Sequence, residues 1–125
     1  MYNSDMNTID RHMDLLVWQK SRVLVKNIYD LTAEYPKSEQ FGLVDQMRRA
    51  AVSVPSNIAE GFGRSSKKEF KQSLNIARGS IAELQTQLLL SFDLGFLDKE
   101  NYDSIDAQVI ELYKMLNSLI KKLGL

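Results

Sequence analysis

The chain contains no cysteine among its 125 residues, which excludes disulfides, thiolate metal centres and thiol nucleophiles. It contains one histidine, His12, and no Glu-x-x-His pair of the kind that dinuclear metal sites in helical bundles use. Glu60 and Glu83 are the only acids inside the central motifs, too few for such a site. The same shortage leaves Ser53, Ser56 and Ser80 without a structured histidine as base. We therefore expect no metal, no cofactor and no enzymatic activity. No apolar run approaches the ~20 residues that cross a bilayer, and residues 1–13 lack the basic-then-apolar order of a secretory leader. The expectation is a flexible tail over residues 1–13, a single domain over residues 14–125, and a cytoplasmic protein with no membrane partner. Excess charge is missing too: net charge is zero, which argues against a generic nucleic-acid coat protein. The charges are uneven along the chain, however. Residues 1–36 carry a net −1, residues 37–80 a net +4 and residues 81–125 a net −3, leaving room for a localised basic patch.

What is present is helical periodicity. Four amphipathic segments are legible and no strand is. The first should run from Leu16 to Glu34, burying Val17, Leu24, Ile28, Leu31 and Tyr35 before Pro36 ends it. The second should run from Glu39, after a Ser38 cap, to Phe62, where Gly61 and Gly63 stop it. Its apolar row is Val44, Met47, Ala51, Val54 and Ile58, and Pro55 should kink it near Ala51. The third opens on Ser66-Lys67-Lys68-Glu69, a capping-box pattern, buries Phe70, Leu74, Ala77, Ile81, Leu84 and Leu88, and closes at Gly95. The fourth follows Asp98 with Tyr102, Ile105, Val109, Leu112, Leu116, Leu119 and Leu123 at coiled-coil spacing. Short connections make sequence neighbours antiparallel. The fold class is all-α, an antiparallel up-down-up-down four-helix bundle roughly 30 Å long.

Three constellations carry functional expectations. A second row on the second helix reads Arg49, Ser53, Ser56 or Asn57, Glu60 and Arg64, with small polar residues where a solvated face would carry long Lys and Glu. Such a row lets another surface approach closely, so Arg49, Ser53, Asn57, Glu60 and Arg64 are expected at a subunit interface, with arginines paired to Glu60 or Glu83. Gly79 costs about 1 kcal/mol relative to Ala in mid-helix, and close approach of a helix or subunit, with the serine row as one candidate, is the expected compensation. Arg48 points away from that row and is a candidate for solvent or ligand. On the third helix Lys67, Lys71, Asn75 and Arg78 follow steps of four, four and three, which puts them on one face. Such a row is ordinarily a solvated face, but without interleaved Glu it also suits phosphate contact. Trp18, Tyr29 and Tyr35 could stack on bases, although aromatics on an amphipathic helix more often pack. The Gly61–Ser66 stretch is not a Walker loop and serves as helix stop, turn and cap.

Several blocks also carry a resemblance: Asp14 to Lys20, Phe41-Gly42-Leu43-Val44, Arg48-Arg49-Ala50-Ala51, Pro55 to Gly61, and Ala77 to Leu88. In this order they resemble the bacterial four-helix-bundle family named after open reading frames in 23S rRNA intervening sequences, over residues 14–123. That family is similar in fold to the accessory variability determinant of diversity-generating retroelements. The resemblance implies a homopentamer with a central channel and, through the retroelement protein, a reverse transcriptase as a candidate partner. Together these readings predict a non-enzymatic homo-oligomer that binds RNA or DNA, structured RNA foremost, through Arg48, Lys67, Lys71 and Arg78. The rival expectation is a protein-interaction scaffold in which the same residues fix subunit packing.

Overall fold

The computed structural model describes residues 11–124; most of the expected N-terminal tail, residues 1–10, lies outside the described residues. After a short 3-10 turn at His12–Asp14, the described residues form four helices. These are α1 (Leu16–Thr32), α2 (Leu43–Phe62), α3 (Lys67–Asp93) and α4 (Lys99–Lys122). The apolar rows become one core: Leu24, Ile28, Met47, Ile58, Leu74, Ile81, Leu84, Leu88, Leu112 and Leu116 are all nearly inaccessible. Burying each stabilises the fold by about 1.5–3 kcal/mol before chain entropy is counted. Leu31 and Tyr102 are only partly buried and pack against that core.

Side-chain bonds between helices fix their order around the bundle. Arg48 of α2 reaches Thr32 of α1, and Ser80 of α3 donates to Ser53 of α2 at 2.8 Å. Arg78 of α3 reaches Asn117 of α4, and Asn27 of α1 reaches Gln108 of α4. Each helix therefore neighbours those before and after it, and α4 closes against α1, as up-down-up-down topology requires.

The α2–α3 seam is the tightest. A Cβ added to Gly61 would lie 2.5 Å from the Ser73 Cβ and 3.0 Å from a ring carbon of Phe70. Gly61 is thus not the stop that its composition suggested. It is a buried residue of α2 that lets α3 in. The helix ends elsewhere differ in the same instructive way. Ser38 does not cap α2; it sits in a separate 3-10 turn, Lys37–Glu39, and α2 starts after Gly42. There the Glu39 Oε1 accepts weakly from the Leu43 amide at 3.4 Å. The other caps follow the sequence. Ser66 Oγ accepts from the Glu69 amide at 3.1 Å, and Asp98 Oδ1 from that of Asn101 at 2.8 Å. Gly95, at φ +81°, turns the chain out of α3 while the Phe96 amide donates back to Ser91, the pattern of a Schellman stop. α2 is continuous through Pro55. Among the described residues no helix is long and apolar enough to cross a membrane.

Candidate nucleic-acid interface

Cross-links between helices also set the level of each residue along the bundle. Ser53 is level with Ser80, and Lys20 with Glu111, whose Oε2 lies 3.2 Å from the lysine Nζ. A plane near these pairs, crossing α1 after Leu24, between the levels of Lys20 and of Asn27, which bonds Gln108 of α4, divides the molecule into two halves of opposite charge. Residues 11–24, 53–80 and 111–124 form one half, with eleven Lys/Arg against four Asp/Glu, a net +7. Residues 25–52 and 81–110 form the other, with five against ten, a net −5. The two halves together carry a net +2, which Asp5 and Asp10 bring to the zero of the whole sequence.

The basic end is crowned by the α2–α3 turn and the last turn of α4. Lys67 and Lys68 are exposed at the start of α3, and Lys121 and Lys122 are exposed at the end of α4. Among the described residues none of these four has an ion-pair partner. Lys71 lies one turn along from Lys67 and is partly buried. Arg78 completes the row, donating to Asn117 Oδ1 at 2.7 Å and to Asn75 Oδ1 at 3.0 Å. Both acceptors are neutral amides, so the guanidinium is positioned without being neutralised.

Arg48 does not join them. Its Nε donates to Thr32 Oγ1 at 2.9 Å and a terminal nitrogen to the Tyr29 carbonyl at 3.2 Å, while the guanidinium lies 4.4 Å from the Tyr29 ring centroid. The side chain expected at a ligand contact is thus engaged within the chain. Arg48 completes the C-terminal turn of α1, where free carbonyls favour a cation, and it does so in the acidic half.

The expected interface row divides as well. Arg49 pairs with Asp45 at 3.0 Å, one turn back, and not with Glu60 or Glu83. Glu60 does meet an arginine: Arg64, at 2.9 Å, which also lies 4.0 Å from Glu69. These pairs are exposed and contribute little stability each. Ser53 and Asn57 face α3 of the same chain. Ser53 accepts from Ser80, and the Asn57 amide returns to the Ser53 carbonyl and hydroxyl at 2.8 and 3.0 Å. The surface that approaches the small polar row closely is thus α3. Gly79 takes no part in it: nothing lies within 4 Å of where its Cβ would be. The glycine of close approach is Gly61.

The aromatics are spoken for within the chain. Tyr35 is buried against Phe96, Trp18 packs edge-on to His12, and Tyr29 lies under Arg48. In the acidic half, burial first and then the carboxylates of Asp106, Asp103 and Asp93 push the Tyr102 hydroxyl above its ordinary pKa. Among the described residues no three His, Cys, Asp or Glu are grouped to hold a metal.

Sequence reasoning missed Lys68, Lys121 and Lys122 as companions of Lys67. The signal was available in helix lengths, since an antiparallel bundle brings the end of the fourth helix back beside the start of the third.

The fold is similar to that of a protein of unknown function from the S23 ribosomal protein family of Bacteroides thetaiotaomicron VPI-5482, solved by crystallography. The two share 28% identity, with a TM-score of 0.79 over 85% of this chain and 96% of that one. No curated protein matches the chain significantly. The sequence profile of the 23S rRNA-intervening sequence proteins matches residues 13–118, which span all of α1, α2 and α3 and most of α4, and the chain belongs to that family.

Proposed function

We propose that this protein is a non-enzymatic, self-associating helical bundle that binds structured RNA through the phosphates it presents to the basic end. The observation that carries this reading is the axial separation of charge, with a net +7 gathered at one end of a neutral chain. Affinity for nucleic acid comes chiefly from cations that displace condensed counterions, and a cluster of Lys67, Lys68, Lys121 and Lys122 with Arg78 behind them supplies cations at short range. The family's name, which refers to an intervening sequence of 23S rRNA, makes RNA the first nucleic acid to try. A ring of copies, fivefold by the resemblance to the retroelement protein, would multiply a modest patch into a strong one. A reverse transcriptase enters only through that same analogy.

The scaffold reading is favoured by one separate feature. Ile76, Leu90 and Leu94 are 56%, 46% and 60% exposed on the outward side of α3, with Gly79 open among them. That strip suits a protein surface better than a phosphate. Titrating purified protein against structured RNA and duplex DNA separates the two readings. Phosphate binding falls about a thousandfold or more between roughly 50 and 200 mM salt when six or more phosphates are contacted. No binding at the lower salt would leave the scaffold.

A further inference from the structure

The acidic end holds a groove that the nucleic-acid reading does not use. It encloses about 510 Å³ between the C-terminal half of α1 and the start of α4. Leu31, Phe96 and Ile105 supply apolar lining, and Asp30, Glu34 and Asp98 stand along it as carboxylates. Asp30 is already paired with Lys26 at 2.8 Å, and Asp98 caps α4 through one oxygen. Glu34 is exposed and has no ion pair among the described residues. An apolar floor beneath carboxylates suits a lysine side chain, whose methylene stem can lie on the floor while the ammonium meets the rim.

We propose that this groove receives the basic end of a second copy of the chain. Both halves of the contact are on the same molecule: Asp30, Glu34 and Asp98 line the groove, in the half with a net −5, and the other half carries a net +7. Lys121 and Lys122, with Lys67 and Lys68 beside them, are the exposed cations that a neighbour would present. The two surfaces are different patches at opposite ends, so the contact is head-to-tail. It builds an open row of copies unless its rotation happens to close. Lysine is a strongly hydrated point charge, so the row is sensitive to salt. The inference rests on the charge layout and stands apart from the RNA reading, although RNA and a neighbouring copy would compete for the same lysines.

Light scattering on the full chain tests it, at about 10 mM salt, where charges act over ~30 Å, and at about 1 M, where they act over ~3 Å. The expected result is a basal particle at high salt and a mean mass that grows with protein concentration at low salt. Equal masses at both salts would overturn the proposal. Asp30→Lys with Glu34→Lys should abolish the growth, as should Lys121→Glu with Lys122→Glu. An equimolar mixture of the two variants should recover association, because each then offers the charge that the other lacks. Growth that persists in either variant, or a mixture that stays at the basal mass, would also overturn it. RNA titration of the Asp30→Lys/Glu34→Lys protein keeps the two claims separate, since that variant retains every cation of the basic end.

Discussion

The two ends of this bundle are made by the same four helices and share one continuous core, yet their surfaces are opposites. At one end the helix termini carry Lys67, Lys68, Lys121 and Lys122; at the other, Asp98, Glu100 and Asp103 at the start of α4 and Asp30 and Glu34 at the end of α1. Part of this has a local cause. Acids favour helix N-termini and bases favour C-termini, and α4 obeys that rule at both of its ends. α1 and α3 do not: α1 finishes on acids and α3 begins with two lysines. Dipole complementarity therefore does not account for the separation of charge. Arg48 and Arg78 make the lesson concrete. Both lie in the segment of residues 37–80 with net +4, but the hairpin of α2 and α3 sends them to opposite halves.

The comparison breaks most sharply under charge reversal. Replacing Lys67, Lys68, Lys121 and Lys122 together by Glu should lower RNA affinity by a hundredfold or more, by the counterion argument, with helicity unchanged by circular dichroism. Arg48→Gln should leave RNA affinity where it was. Its effect belongs to stability, about 1 kcal/mol for a lost cap-like contact, read as a lower midpoint in urea.

Two glycines give the next contrast. Gly61→Ala should destabilise by about 1–3 kcal/mol through overpacking against Ser73, seen in the same denaturation curve. Gly79→Ala should stabilise an isolated bundle by up to about 1 kcal/mol, since helix propensity is then the only change. A loss at Gly79 accompanied by a smaller particle would place a subunit contact there.

The smallest effect concerns pH. Tyr102 is raised above its ordinary value by burial and by neighbouring carboxylates. The unfolded chain therefore loses this proton first as pH rises. The stability linked to Tyr102 is complete below the ordinary tyrosine pKa of about 10 and declines above it. Tyr102→Phe should flatten the alkaline limb of a stability–pH curve.

The core was legible in the sequence because a 3.6-residue period reports which side of a helix faces inward, and Val44 through Ile58 and Phe70 through Leu88 keep that period without a break. The cap at Ser66 and the start of α4 after Asp98 were legible because such signals are local chemistry. What failed depended on neighbours far away in sequence. A glycine in a sequence does not show whether another helix passes over it, so Gly61 was read as a stop, while Gly79, expected against a helix or a subunit, has no helix of its own chain over it. Arg48 looked available because nothing nearby in sequence binds it; its partners Tyr29 and Thr32 lie on the preceding helix. The basic end was half visible in Lys67, Lys71 and Arg78, and the rest waited on the fold to bring Lys121 and Lys122 alongside.

The most direct measurement is a pair of RNA titrations at about 50 mM salt, where electrostatic binding is strong. One uses the protein with its four terminal lysines reversed and the other the protein with Asp30→Lys and Glu34→Lys. Binding lost in the first and kept in the second is the result this account predicts. Equal binding by both, or loss in the second alone, would contradict the claim that the basic end is the surface that meets phosphate.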